Sequence, residues 1–579
     1  MCGIFVSLSP DQYLLPTFRV EQLLKNRGPD AFGKHQVLIP RRPNSTKGSL
    51  SGLHATFIST VLSLRGTEIV QQPLEDDATQ SFLCWNGEAW KTGPNIVEGN
   101  DSQAIFESFL LFSRTSSIEH RSSSIERIAD MISAIRGPFA FVFYDAVNDY
   151  LYYGRDCLGR RSLLQKVKSE ETVHVFALAS VCDSGDGWSE VEANGIYVID
   201  LKVWSEKGEF AVSHIPHRRK GEEQAPAPTI ALPFPSMNKS VPDGAHIQLD
   251  LESTSVHELD QALRRSLELR TSHVRESIKP DSPNIPDQDA KVAILFSGGL
   301  DCTVLARLIH EILPINQSID LLNVGFQNPR VHSFPDESKP DVSPYELCPD
   351  RVTGRASYAE LQKICPGRCW RFVEINVPYS ETLARREKVI TLMHPHNTEM
   401  DLSISYALYF ASRGIGQVNT GSGISEYVTP AHVLLSGLGA DELFGGYQRH
   451  ATAFTRNGYP GLIEELGLDF NRLGKRNLGR DDRVISDSEK EVRFPYLDED
   501  LIAWALDCPV WSKCGFGGAN LENSTDSSAT LEPGKKVLRL LAWKLGMKGV
   551  AAEKKRAIQF GARTAKMETG KTKGTQVLS

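Results

Sequence analysis

The chain has 579 residues, 40% of them hydrophobic and 23% charged, with a formal net charge of -8. That length argues against a single core and for two domains or more. No apolar run approaches the ~20 residues of a membrane-spanning helix, and the acidic balance gives no support to nucleic-acid binding.

The first residues read "MCGIFVSLSP". No basic region precedes the apolar run, which stops at Ser9, Pro10 and Asp11, so a secretory signal is not the reading. Two readings remain open at this point: a first buried strand, or a cysteine that uses the end of the chain. Short strand patterns follow at "ATFISTVLSL", "SFLCWNGE", "PFAFVFYDA", "YLYYGRD" and "GIYVIDL". They predict a sheet-rich first domain with a few helices, one near Ile105 to Phe112. The ten cysteines are scattered. Only Cys365 and Cys369 lie close, with no second pair for zinc, so reduced structural thiols and a cytoplasmic setting are expected. None of the fifteen histidines falls at metal-ligand or triad spacing.

Pro, Gly and charge dominate Pro216 to Gly244, which reads as a linker. Ser255 and Glu258 then match a capping box, with Val256, Leu259, Leu263 and Leu267 at helical spacing. From Lys291 the pattern changes to continuous apolar strands, "KVAILF", "IDLLNVGF" and "AHVLL", each tied to a helix or a glycine turn. This predicts a mostly parallel sheet covered on both faces. About Pro329 to Glu346 and Gly515 to Gly534 read as surface insertions. The Lys-rich end, with Lys566, Lys571 and Lys573, reads as a solvated tail.

Two glycine turns carry chemistry. "FSGGLDC" (Phe296 to Cys302) follows a buried strand and opens a helix. Gly298 and Gly299 let backbone approach a phosphate, and the helix N-terminus aims N–H groups at it. Asp301 could hold a magnesium ion on the phosphates. Without a Lys after the glycines it is not the GxxxxGK[ST] loop. "LLSGLGADELFGGYQRH" (Leu434 to His450) repeats the strand-to-glycine step and adds Asp441 and Glu442. Alone, its acids equally fit a helix first turn. Together the two loops favour a shared nucleotide-magnesium site.

"SGGLD", "SGLGADELFGGY" and "VRFPYLDEDL" (Val492 to Leu501) resemble the ATP-dependent synthetase domain of the asparagine synthetases, within the PP-loop ATP pyrophosphatases. Further segments, among them "DRVTGRASYAEL" (Asp350 to Leu361) and "KRAIQFGARTAKME" (Lys555 to Glu568), extend the resemblance over nearly the whole chain. It implies cleavage of ATP between the α and β phosphates to make an acyl-adenylate. It also implies a class II glutamine amidotransferase domain at the N-terminus, which begins Met-Cys-Gly-Ile. Removal of Met1 would leave Cys2 with a free α-amino group of pKa about 7.7–8, suited to deprotonate a thiol of pKa about 8.5. "WNGE" (Trp85 to Glu88) matches the oxyanion hole, formed by Asn86 and Gly87. An Asn-Gly pair by itself would read as a type I′ hairpin turn. Glu88 and Asp101, in "GNDSQAI", match the positions that bind the glutamine substrate. "NRGPDAFG" (Asn26 to Gly33), "RGPFAFVFYD" and "GRDCLGRRSL" fit the same domain.

Three departures stand out. Leu438 replaces the Glu that assists ammonia attack, and it cannot move a proton. Cys302 replaces the final Ser of the phosphate loop. Val61 stands where the family Arg grips the glutamine carboxylate, so Arg65, four residues on and on the same face of a continued strand, is expected to substitute. Arg556, or Lys555 beside it, would replace the Lys that steadies the adenylate.

The resemblance therefore implies an αββα N-terminal nucleophile hydrolase domain over residues 2–215, a linker over 216–248, an α/β PP-loop domain over 249–570 and a tail over 571–579. The expected chemistry is release of ammonia from glutamine by Cys2, Asn86 and Gly87, with Arg65, Glu88 and Asp101 binding glutamine. ATP would bind Ser297, Gly298, Gly299, Asp301, Cys302, Ser436 and Gly437, with Mg2+ on Asp301 and Asp441 and Arg556 acting in catalysis. Aspartate is the default acceptor, giving asparagine, AMP and pyrophosphate through an internal ammonia passage. No nucleic-acid or membrane partner is expected. The competing expectation, raised by Leu438, is a regulatory or scaffolding protein, or a glutaminase with an unknown acceptor.

Overall fold

Ile4, Val6 and Leu8 alternate along Gly3–Ser9, so a strand here turns all three to one face. Each is fully buried, which contributes roughly 1.5–3 kcal/mol per side chain. This is seen in a computed structural model, which describes residues 1–40, 52–114, 121–170, 173–207, 209–219, 228–244, 248–275, 290–331, 343–421, 423–517, 528, 530–567 and 574–578. Two units form: Met1–Pro233 with Ile390–His396 and Leu473–Glu489, and Phe234–Val389 with Asn397–Arg472 and Lys490–Ser579.

In the first unit, Gly3–Ser9 lies inside a six-stranded antiparallel sheet, between Val173–Ala179 and Gly52–Val61. A seven-stranded sheet centres on Tyr150–Arg155, Phe139–Asp145 and Ser81–Gly87. The two sheets share a core, in which Ile4, Val6 and Phe57 pack with Phe82, Val142 and Leu151. The outer face of the second sheet carries the helices Asp101–Arg114 and Arg121–Ala134, through Phe106, Phe109 and Ile128 against Trp85, Phe141 and Phe143. On the far side the helix Phe18–Arg27 covers the first sheet, where Leu24 crowds Gly3. The layers thus run helix, sheet, sheet, helix.

The second unit holds a seven-stranded mixed sheet in the order Ile424–Val428, Ile415–Asn419, Trp370–Val377, Ile319–Phe326, Val292–Leu295, Val433–Leu435, Glu491–Arg493. The last five are parallel, Ile415–Asn419 runs antiparallel to them, and Ile424–Val428 pairs antiparallel with Ile415–Asn419. Ile319–Phe326 is buried throughout, as a strand covered on both faces must be. From Val292–Leu295 the chain winds one way to Ile319–Phe326 and later returns on the other side at Val433–Leu435. Strand order therefore reverses between Val292–Leu295 and Val433–Leu435, the place where open α/β sheets bind ligands.

Several local expectations change. The helix bearing Val256 and Leu259 is Thr254–Thr271, capped at Ser253, so Ser255 lies inside it and makes no capping box. Glu258 instead accepts a 2.9 Å hydrogen bond from the Trp504 indole. Pro216 to Gly244 is not all linker: the strand Val212–Arg218 pairs with Gly195–Asp200, and Ile230 and Phe234 are buried. Residues 220–227 of that segment lie outside the described residues. The end of the chain is not simply a solvated tail, because Gly574 and Gln576 accept backbone hydrogen bonds from Met400 and Glu399. Lys571 and Lys573 fall outside the described residues. No helix among the described residues is long and apolar enough to cross a membrane.

Candidate active sites

In the first unit, the Cys2 nitrogen donates to Asn86 Oδ1 at 3.0 Å. Arg27 Nε donates to the Cys2 carbonyl at 3.2 Å, and the Gly3 nitrogen donates to Thr60 Oγ1 at 3.0 Å. Cys2 and the preceding Met1 are both buried. Because Asn86 uses its oxygen on Cys2, its amide nitrogen is the group left over. That Nδ2 is buried and has no partner. A buried amide donor without an acceptor is costly and so marks a place where an acceptor belongs. Gly87 lies so close to Pro138 that an added Cβ would sit 2.4 Å from its carbonyl oxygen. Asn86 and Gly87 end the strand Ser81–Gly87, paired with Ala140 and Phe139, which rules out the hairpin-turn reading.

Arg65, Glu88 and Asp101 come together beside this strand end. The strand Gly52–Val61 stops at Val61, so the same-face argument for Arg65 fails: the residue lies beyond the strand, in a bend. Its guanidinium nevertheless reaches the group, donating to Ala89 O at 3.0 Å and to Val97 O, 3.5 Å from Glu88 Oε2. Asp101 opens the helix Asp101–Arg114 and accepts from Trp85 Nε1 at 3.0 Å and the Ala89 nitrogen at 2.9 Å. Burial pushes its carboxyl up from the ordinary value, against the pull of Arg65 and these hydrogen bonds.

In the second unit, the two glycine loops leave the C-terminal ends of neighbouring parallel strands, Val292–Leu295 and Val433–Leu435. Gly298 adopts φ +80 and packs on Gly354, where a Cβ would meet backbone at 2.5 Å. Ser357 Oγ fixes it by donating to Gly298 O at 2.6 Å. The helix Leu300–Ile312 then starts at Gly299, its N-terminus facing the cavity. Cys302 turns inward: its thiol donates to Gly299 O at 3.3 Å and lies 3.7 Å from Ser297 Oγ, and burial pushes the thiol up. The Ser436 nitrogen donates to Arg493 O at 3.0 Å. Gly437 touches Asp301 so closely that a Cβ would lie 2.8 Å from the Asp301 Cβ.

Asp301 and Asp441 converge on one ammonium. Lys535 Nζ lies 2.7 Å from both oxygens of Asp301 and 2.6 Å from Asp441 Oδ1. Lys555 Nζ bonds the other Asp441 oxygen. Burial alone would raise the Asp441 carboxyl, but the two ammoniums outweigh it and hold it far below the usual range. Ser297, Gly299, Asp301, Asp350, Lys555 and Arg556 line a cavity of about 90 Å³. Arg556 donates to Thr353 Oγ1 at 3.3 Å, so of the two basic neighbours it is Lys555 that grips Asp441. Leu438 is half-buried, its nitrogen donating to Ser436 Oγ at 3.3 Å.

Paired carboxylate oxygens are the donor set of a hard divalent cation. Glycine backbone, a helix N-terminus and three cationic side chains suit a polyphosphate. The residues thus fit magnesium and a nucleotide, although among the described residues no three His, Cys, Asp or Glu surround one point. Sequence reasoning missed Lys535, which follows the segment read as a surface insertion; Glu532 and Gly534 of that segment also line the cavity. Asp350 of the same cavity carries no such signal in the sequence. Burial pushes that carboxyl up to about 7, against Arg556 and Lys555.

The asparagine synthase family pattern matches residues 403–464. The glutamine-hydrolyzing asparagine synthetase of Gallus gallus is 22% identical, covering 88% of this chain and 77% of that protein. Domain match and relatives together define the class as a protein with an asparagine synthase domain. Human asparagine synthetase domain-containing protein 1 is 34% identical, covering 98% of this chain and 96% of its own. An asparagine synthetase domain-containing protein of Saccharomyces cerevisiae is 33% identical over 100% of this chain and 99% of its own. The chain belongs to this asparagine synthetase domain-containing protein family.

Proposed function

We propose that the chain is a glutamine-dependent amidotransferase that hydrolyses glutamine at Cys2 and passes ammonia to an ATP-activated carboxylate. The observation that carries this reading is the unpartnered Nδ2 of Asn86, held beside Cys2 by the bond to its own Oδ1. With Met1 removed, the α-amine of Cys2 takes the thiol proton and Sγ attacks the carboxamide carbon. Asn86 Nδ2 and the Gly87 N–H hold the developing oxyanion. Ammonia leaves with the proton returned by the amine, and water releases glutamate from the thioester. Arg65 holds the glutamine carboxylate, while Glu88 and Asp101 hold its ammonium.

In the second unit, Asp301 and Asp441 would hold magnesium, and the Gly298–Gly299 loop with Ser436 and Gly437 would hold the nucleotide. ATP with magnesium supplies an adenylate leaving group on the acceptor carboxylate. Lys535, Lys555 and Arg556 then neutralise phosphate charge. Aspartate is the acceptor proposed, giving asparagine, AMP and pyrophosphate.

One residue favours a second reading. Leu438 offers no proton acceptor at the amidation step, which suits a glutaminase with another acceptor, or a regulatory protein that keeps the fold. The test is to supply the Met1-processed chain with glutamine, aspartate and ATP-magnesium. Glutamate, pyrophosphate and asparagine are measured separately, with Cys2→Ala as control. Cys2-dependent asparagine is the expected result. Glutamate alone would move the conclusion to the second reading, and no product from folded protein would overturn both catalytic readings.

A further inference from the structure

Once Met1 is removed, Cys2 has no covalent neighbour on its nitrogen side, and hydrogen bonds must set its place. Its nitrogen is held by Asn86, its carbonyl by Arg27. We infer that Arg27 and Asp482 are a positioning pair for the nucleophile, an inference that rests on the glutaminase reading of Cys2.

The geometry runs through one guanidinium. Arg27 Nε donates to Cys2 O at 3.2 Å, Nη2 to Asp482 Oδ2 at 2.8 Å and Nη1 to Ser486 Oγ at 2.5 Å. Arg27 is 1% exposed and Asp482 fully buried. A planar guanidinium anchored on one edge fixes the direction of the N–H on the other. Asp482 is itself immobilised, since Oδ2 also accepts from the Ser162 nitrogen at 3.1 Å and Arg161 Nη1 lies 3.7 Å from Oδ1. Ser486 Oγ donates to Asp482 O at 2.6 Å, which ties both anchors to the helix Gly479–Ser486. That helix is 455 positions from Arg27 in sequence, in the stretch that motif reading assigns to the synthetase half, yet it belongs to the first unit. The pair touches the Cys2 carbonyl directly, so it bears on the reacting thiol rather than on glutamine affinity.

The experiment uses the full-length, Met1-processed chain and its Asp482→Ala, Asp482→Asn and Arg27→Lys variants. Glutamate release gives kcat and KM separately, thermal unfolding is followed in parallel, and iodoacetamide labelling of Cys2 is timed by peptide mass. Asp482→Ala is expected to lower kcat at least tenfold with KM within threefold. Asp482→Asn, which keeps an oxygen acceptor, should recover most of that loss. Arg27→Lys cannot bridge both acceptors and should lose kcat while melting near the parent, so it carries the test if Asp482→Ala does not fold. A kcat within twofold of the parent for folded Asp482→Ala, an equal loss in Asp482→Asn, or a KM that rises in step with the fall in kcat would each overturn the inference. If the parent chain releases no glutamate, the glutaminase reading fails separately, and labelling decides: a rate changed fivefold in Asp482→Ala but not in Asp482→Asn supports positioning, while equal rates overturn it.

Discussion

The Cys2 nitrogen donates to Asn86 Oδ1 over 3.0 Å, across 84 positions of sequence, and this bond orients the Asn86 amide with Nδ2 unpaired. On the proposed reading the donor is preorganised before any substrate arrives, which is where electrostatic catalysis gains most.

Asn86→Ala removes that donor. Glutamate release should fall by about 10²–10³ in kcat, the typical cost of one oxyanion donor. KM should change little, since Arg65, Glu88 and Asp101 remain. Steady-state glutaminase kinetics check this, and a loss confined to KM would assign Asn86 to binding instead.

Arg65→Lys tests the proposed grip on the glutamine carboxylate. A lysine keeps charge but not the fork that reaches Ala89 O and Val97 O together. KM for glutamine should rise tenfold or more with a smaller change in kcat. Competition by glutamine methyl ester separates the cases: the parent should prefer glutamine strongly and the variant should not.

Lys535 bridges Asp301 and Asp441 and is 4% exposed. Lys535→Ala leaves two carboxylates facing each other, and breaking such a buried pair costs about 3–5 kcal/mol. Thermal unfolding in chelator should show the loss. Magnesium should restore a larger part of it in the variant than in the parent, because the cation replaces the missing charge.

Asp350 gives a pH signature. Its folded carboxyl is pushed up to about 7 from 3.8, by burial that Arg556 and Lys555 only partly offset. The folded state thus binds this proton more tightly than the unfolded chain. Its contribution is full below about pH 4 and is lost as pH rises through about 7, amounting to about 4 kcal/mol at most. Asp350→Asn cannot titrate, so the variant should gain stability relative to the parent between pH 4 and pH 8. Denaturant unfolding at those two values checks the sign.

Local sequence determined the loops and most strands of this protein. A glycine turn that leads into a helix is contiguous, so "SGGLD" declares both the turn at Gly298 and the helix that follows it. The strand Ile319–Phe326 shows as an unbroken apolar run because both its faces are covered. Asn86 and Gly87 were legible as a motif, but the orphaned Nδ2 was not, since it depends on Cys2, just before a strand of one sheet, reaching Asn86 in the other. Tertiary structure alone decided that Lys535 bridges two carboxylates 234 and 94 positions away, that Lys555 rather than Arg556 grips Asp441, and that Arg65 works from a bend beyond its strand. It also brought Asp482 to Arg27. Such pairs leave no local periodicity, because they are set by which strand ends and helices the chain topology makes neighbours. Hydrophobic pattern fixes backbone segment by segment, whereas buried charge is placed only where a partner from elsewhere in the chain offsets its desolvation.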